Sequence, residues 1–584
     1  MVTVEASLVA PGKSAIGPEL RLHDSKFVPD LARLVAAVKA EGAAVGIQLW
    51  HPGRQTNLSE PVAPSPVPLS PRTRIPRELT KANIEELVEH YGSAAARCRE
   101  AGFDYVEVHA ARCYLPCEFL SPLVNLRRDE YGGELANRAR FLLDIVRSVR
   151  ASCGDDYPVF CRITGTDGLD GGSGIEDAVQ VARWLVEAGV SCLSVSAGTW
   201  HTLHLSIPPM FMDRGCLVPL AERIKAAVDV PVIAAGRLDE PSLAEQVLSA
   251  GQADLISLGR ALVAYPDWAT KVRNGRYDEV TPCIACNACL ELISSGAEMR
   301  CAVNPEAARE LQWRADTVPV AKRRVMVVGS GPSGLEAARV ARLRGHAVSI
   351  WEREDLLGGK LDVASRAPSK HEVLKFRERQ EKLLKSLGVD VHLGVEVDAR
   401  IVDAEEPDVV IVAIGARPLI PSIAGADSPH VIDAQRVLLG QEDIHEGVRV
   451  AVIGGSATGC ETAETLAHAG CEVTIVEMPR SAGRGIEFVT RRRLLERLRE
   501  VGVAILTGSK VVSIQPDRLV YEAGDGTTGE VECDLVALAI GWVPRGDEFV
   551  AALNGRRHLV VGDASRPADF LAAVNAGADA ARSV

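Results

Sequence analysis

The stretch RVMVVGSGPSGLEAARVARLRGHAVSIWERE (324–354) decides how the second half of this chain folds. An apolar segment of strand length runs into a glycine turn, a helical pattern, a second strand and an acid. Gly329, Gly331 and Gly334 form G-x-G-x-x-G. The first permits a tight turn, the second lets backbone approach a pyrophosphate, and the third lets the helix pack on the sheet. The start of the helix adds a favourable dipole for phosphate. Glu352 stands eighteen residues beyond Gly334, where a carboxylate accepts hydrogen bonds from a ribose diol. The competing reading is a glycine turn without a ligand. The flanking strands and the placed acid argue against it.

RVAVIGGSATGCETAETLAHAGCEVTIVEMPR (449–480) repeats this layout. Gly454, Gly455 and Gly459 make its turn, with Ser456 where the middle glycine would stand, and Glu477 again follows by eighteen residues. Serine is small enough to leave room for a pyrophosphate. Glu477 would repel a 2′-phosphate, which favours NADH over NADPH, although Arg480 and Arg484 follow closely. An internal repeat of this kind predicts two dinucleotide-binding units.

Residues 1 to 275 have another rhythm. VTVEAS, AAVGIQLW, YVEVHA, PVFCRITG, CLSVSAG, VPVIAAGR and ADLISLGR read as buried strands, and patterns such as IEELVEHYGSAAARCREAG separate them as helices. The alternation predicts a (β/α)8 barrel with its first strand missing, because seven strands are counted. Between barrel and repeat, TPCIACNACLELISSGAEMRC (281–301) places Cys283, Cys286 and Cys289 at C-x2-C-x2-C, with Cys301 beyond them. Zinc sites usually take cysteines from two separate knuckles. Three from one loop suit a cubane iron–sulfur cluster.

Composition narrows the function classes. A net charge of −13 is a poor match to a nucleic-acid backbone. The basic run TRRRLLERLRE (490–500) has helical spacing and reads as a solvated face. No apolar run has membrane-spanning length, and MVTVEASLVAPGKS lacks the pattern of a signal peptide. Fourteen cysteines, ten of them scattered, fit a reducing compartment such as the cytoplasm.

Residues 323–584 resemble the two-dinucleotide-binding flavoprotein reductases, through both glycine turns, VVIVAIGARP (409–418) and LVVGDA. That resemblance implies FAD on the first unit plus a C-terminal segment, with Gly359, Lys360, Gly562 and Asp563 among its contacts. The nicotinamide nucleotide would sit on the inserted second unit. The front half resembles the old yellow enzyme family, on GIQLWHPGRQ (46–55), HAARCYLPCEFLSPLVNLRRDEYGGELANRARF (109–141), FCRITG, AAGRL and LGRAL. The resemblance implies FMN held by Gln48, Arg162, Gly236, Arg237, Gly259 and Arg260. A cation at Arg162 would stabilise anionic reduced flavin.

The whole order of parts resembles the group of 2,4-dienoyl-CoA reductase, enoate reductases and trimethylamine dehydrogenase. This implies a barrel over 1–275, a [4Fe-4S] loop and linker over 276–320, an FAD domain over 321–440 plus 556–584, and an NAD(H) domain over 441–555. It also implies electrons passing from NADH through FAD and the cluster to FMN, and then to an activated C=C bond of an enoate, enone or acyl-CoA. Tyr114 would donate the proton with His201 as relay. His109 and Arg112 would hold the substrate carbonyl, Arg112 standing where the family usually has His or Asn. In the competing reading Arg112 pairs with a local acid such as Glu118. Two alternatives remain open: an amine dehydrogenase, and an electron-transfer protein with an impaired FMN site. The resemblance further implies a segment before Met1 that carries the first barrel strand.

Overall fold

A computed structural model describes residues 1–12, 19–56, 59–315 and 321–584. The end of the expected linker, residues 316–320, lies outside the described residues. The chain divides into two compact units. The first comprises Met1–Pro208, Met212–Ala261 and Ile293–Ala297, and the second Pro209–Phe211, Leu262–Leu292 and Glu298–Val584.

In the first unit seven strands form one sheet in sequence order: β1 (Val2–Leu8), β2 (Val45–Trp50), β3 (Tyr105–Ala110), β4 (Val159–Thr164), β5 (Cys192–Ser196), β6 (Val232–Ala234) and β7 (Leu255–Ile256). Every neighbouring pair is parallel. These are the seven strands expected from the sequence. All residues of β3 and β5 are buried, as in a sheet covered on both faces. The helix Lys81–Glu100 shows how the sequence enforces the covering layer. Thr80 caps its start by accepting from the Asn83 amide. Ile84, Leu87, Tyr91, Ala95 and Cys98 recur at three- and four-residue spacing and are buried. Strand register sets the site, because His109 of β3 stands beside Arg162 of β4, and Arg162 beside Ser194 of β5.

The second unit holds two five-stranded parallel sheets. One has the order Asp390–His392, Ala347–Trp351, Arg324–Val328, Val409–Val412 and His558–Val560. The other runs Val431–Asp433, Leu535–Leu538, Arg449–Ile453, Glu472–Glu477 and Ala504–Thr507. In each, the strand before a glycine turn lies at the centre, and the strand ending near the acid lies beside it, the doubly wound arrangement. Close approach explains Gly334: a Cβ there would lie 1.9 Å from the Gly329 carbonyl oxygen. Gly334→Ala should therefore destabilise the protein by about 1–3 kcal/mol and release flavin, read by thermal unfolding and flavin fluorescence. Among the described residues no helix is long and apolar enough to cross a membrane.

Candidate active site

The C-terminal ends of β2, β3 and β4 bring together Trp50, His109, Arg112, Tyr114 and Arg162. The Tyr114 ring stands edge-on to Trp50 at 5.1 Å and to His109 at 5.0 Å between centroids. His109 is buried, and desolvation holds its imidazole well below the usual histidine range, with Arg162 and Arg112 adding repulsion. It is neutral. The Ala111 amide donates to Nδ1 at 3.3 Å, so this hydrogen-bond pattern assigns the ring proton to Nε2. His109 thus presents an N–H donor.

Arg112 has φ 58° and Cys113 φ 56°, two successive non-glycine residues in the left-handed region. The Arg112 amide donates to Thr164 Oγ1 at 3.3 Å, and its Nη2 to the Ser206 carbonyl at 3.1 Å. Glu118 is not its partner. That carboxylate lies against Arg54, 3.5 Å from Nε, and accepts from the Arg54 amide. Burial, then the Arg162 charge, lowers the Arg112 guanidinium to about 10, still cationic at neutral pH. Burial raises the Tyr114 hydroxyl, and the two arginines oppose that rise. The phenol keeps its proton.

Buried nitrogens test whether a flavin fits. Arg112 Nε and Arg162 Nε are buried with no partner, which is costly unless an anion or acceptor completes the site. Gln48 Nε2 donates to Glu107 Oε2 at 2.5 Å, and burial raises the Glu107 carboxyl. At the far strands Gly236 has φ 101° and Arg237 φ 56°, and Arg237 donates to the Met212 carbonyl. Gly259 precedes the short helix Arg260–Ala264, and Arg260 donates to the Pro208 carbonyl at 2.8 Å. A cationic group of arginines around β4 and the glycine segments after β6 and β7 suits a flavin mononucleotide. His201 lies on an exposed turn after β5, its amide donating to Thr199 Oγ1 at 3.2 Å.

In the second unit Glu352 Oε2 accepts from the Ser330 amide at 2.9 Å and hydroxyl at 2.7 Å, and Oε1 from the Glu354 amide. Open space surrounds the position a Cβ would take on Gly331, which leaves room for a pyrophosphate. Asp563 accepts from Lys360 at 3.3 Å and from the Ala568 amide, after Gly562 at φ 58°. Lys360 Nζ also lies 3.5 Å from the Trp542 ring centre. In the second copy Gly454 has φ 102°, and Glu477 accepts from the Gly455 amide. Gly459 packs against Gly454 as Gly334 does against Gly329.

Ala285 at φ 49° and Asn287 at φ 58° alternate with Cys283, Cys286 and Cys289. Backbone amides face the sulfurs: Ala285 donates to Cys283, Ala288 to Cys286, and Val303 and Asn304 to Cys301. Burial raises the Cys286 and Cys301 thiols, and these donors oppose that rise. Among the described residues no group of three or more His, Cys, Asp or Glu is arranged to hold a single metal ion.

Family comparison agrees with this geometry. Residues 1–279 match the NADH:flavin oxidoreductase / NADH oxidase family, and residues 324–566 match pyridine nucleotide-disulphide oxidoreductase. An NADH oxidase of Thermoanaerobacter brockii is 38% identical over 97% of this chain and 89% of its own length. The chain belongs to the NADH:flavin oxidoreductase / NADH oxidase family. Within that family, a cinnamate reductase of Clostridium sporogenes is 31% identical over 96% of this chain and 88% of its own. Solved structures that cover 100% of this chain include two with more than a quarter of their residues identical. A 2-naphthoyl-CoA reductase bound to 2-naphthoyl-CoA has TM-score 0.91 and 29% identity, over 92% of its own length. A 6-hydroxypseudooxynicotine amine oxidase of Pseudomonas geniculata has TM-score 0.91 and 27% identity, over 91%. This member of the old yellow enzyme group is an oxidoreductase built on a TIM-type barrel domain and a Rossmann-type domain, using flavin and pyridine nucleotide.

Sequence reasoning missed Thr164, Ser206 and Trp50 as supports of the site. Trp50 and Thr164 lie inside the motifs already quoted, and Ser206 carries no signal, because it serves through its carbonyl. The Arg54–Glu118 pair was missed as well. Burial raises the Glu118 carboxyl to about 8. A raised carboxyl binds its proton more tightly folded than unfolded. Stability from this group is therefore present below about pH 4.5 and lost as pH rises to about 8. Glu118→Gln should flatten the fall in unfolding temperature across that window.

Proposed function

We propose that this protein uses NADH to reduce the C=C bond of an α,β-unsaturated carboxylate or related carbonyl compound. The reading rests on one observation: His109, Arg112 and Tyr114 stand together at the C-terminal end of β3, an N–H donor, a guanidinium and a phenol in one half-buried site. His109 and Arg112 would hold and polarise the substrate carbonyl or carboxylate oxygen. Polarisation draws electron density away from the β-carbon. Tyr114 would deliver the proton to the other carbon. Trp50 and His109, edge-on to the phenol, fix its orientation.

When bound, FMN supplies two-electron chemistry at the barrel, FAD accepts electrons from NADH, and a [4Fe-4S] group passes them singly. Gln48, Arg162, Gly236, Arg237, Gly259 and Arg260 would hold FMN. Cys283, Cys286, Cys289 and Cys301 would hold the cluster, which keeps its thiolates farther apart than a single ion does. Glu477 would accept from the ribose diol of NADH. His201 would act as the proton relay to Tyr114.

Amine oxidation is the second reading, favoured by the amine oxidase fold likeness. Electrostatics speaks against it. Arg112 and Arg162 would repel an ammonium substrate. The deciding experiment compares a cinnamate-type enoate, a dienoyl thioester and trimethylamine under anaerobic conditions. NADH oxidation with the enoate, and flavin left oxidised by trimethylamine, is the expected result. Flavin reduction by trimethylamine alone would overturn the proposal. Changing NADH to NADPH should raise KM, and a preference for NADPH would remove the role given to Glu477.

A further inference from the structure

The residues that would touch substrate sit on an improbable piece of backbone. Arg112 and Cys113 both have positive φ, at 58° and 56°, and neither is glycine. Such residues are costly and persist only where their surroundings dictate it. Tyr114 follows directly at φ −81°. Releasing this turn would move the arginine and the tyrosine together.

One side chain grips both strained residues. Gln55 Nε2 donates to the Arg112 carbonyl at 2.8 Å and to the Cys113 carbonyl at 2.6 Å. A primary amide nitrogen has two N–H bonds, one for each acceptor. Successive left-handed residues turn both carbonyls toward the same point, so a single nitrogen reaches them. Gln55 is itself placed by the turn after β2, where its amide donates to the Pro52 carbonyl at 3.1 Å. Its neighbour Arg54 supports the same segment, with Nη2 donating to Cys113 Sγ at 3.5 Å and the guanidinium against Glu118. The Leu115 amide donates to the His51 carbonyl at 3.2 Å. The turn after β2 therefore holds the turn after β3.

We propose that Gln55 is a positioning residue for the reductive step, acting through Arg112 and Tyr114 without meeting substrate. The inference rests on the function proposed above. Gln55→Met keeps the length of the side chain and removes both donors. Gln55→Lys puts several N–H donors back on one nitrogen. In the flavin-loaded enzyme, Gln55→Met should lower kcat for enoate reduction on the order of 10²-fold, since small misplacements have that effect. KM for NADH and the rate of NADH oxidation by ferricyanide should stay at wild-type values. Gln55→Lys should recover most of the loss.

A mutant cycle supplies a readout that general support of the fold would not move. Adding Gln55→Met to a variant that already carries both Arg112→Gln and Tyr114→Phe should cost little more than that variant alone. Additive losses would overturn the inference. So would wild-type kcat in Gln55→Met, an equal loss in Gln55→Lys, or loss of flavin from Gln55→Met, since each would make Gln55 a residue of the fold only. If Tyr114→Phe itself retained full activity, the proposed function would fail first, and the two failures are told apart.

Discussion

Tyr114→Phe should lower enoate reduction by about 10²- to 10⁴-fold, the usual range for losing a positioned general acid. The flavins should still bleach with NADH at the wild-type rate, because the substitution leaves the second unit untouched. The phenol is half-buried, raised in pKa, and edge-on to both Trp50 and His109. It therefore holds a proton that water does not replace readily. Stopped-flow absorbance would follow the two half-reactions separately. A loss confined to flavin oxidation by substrate supports Tyr114 as proton donor. Equal losses in both halves would mean that the variant has disturbed the barrel, and an unchanged rate would remove Tyr114 from the chemistry.

Cys301→Ser should split the enzyme's activities. On the proposed electron path, reduction of ferricyanide by NADH would need only FAD and should continue. Enoate reduction should fall to background, and iron content should drop with it. Cys301 is buried, and its carbonyl accepts from Asn575 at 3.3 Å, so the loop is tied to the helix Phe570–Ser583 by a bond that does not use the sulfur. That tie makes a folded, metal-poor variant attainable. Retained iron together with retained enoate reduction would show that Cys301 is not a required ligand of the cluster. An iron-free protein that still reduces enoate would dismiss the cluster altogether.

Much of the architecture was legible because its signals are local. Val325–Val328 runs straight into Gly329, and the same syntax recurs at Gly454. Seven buried strands announce themselves by short apolar runs between amphipathic helices. The active site was legible only where residues lie within one motif, as His109, Arg112 and Tyr114 do. Partners far apart in sequence left no trace. Nothing near Arg112 announces Ser206, and nothing at Arg54 announces Glu118. The positive φ of Arg112 and Cys113 was hidden too, because no glycine or asparagine marks it. Its cause is tertiary: Gln55 reaches across from another loop. His201 was singled out by its motif alone, which gives a residue's type and spacing but not the path of its turn.

One sheet has a consequence for synthesis. Val409–Val412 pairs on one side with the strand before the first glycine turn and on the other with His558–Val560. Between those strands in the chain lies a whole second sheet with its own core. On the ribosome that inserted part emerges complete while its host still lacks a strand. It can fold first. Until residues 558–560 emerge, Val409–Val412 waits as an unpaired hydrophobic edge, open to mispairing with another nascent chain. Translation speed through the final stretch should therefore govern the yield of FAD-loaded protein more than speed anywhere earlier.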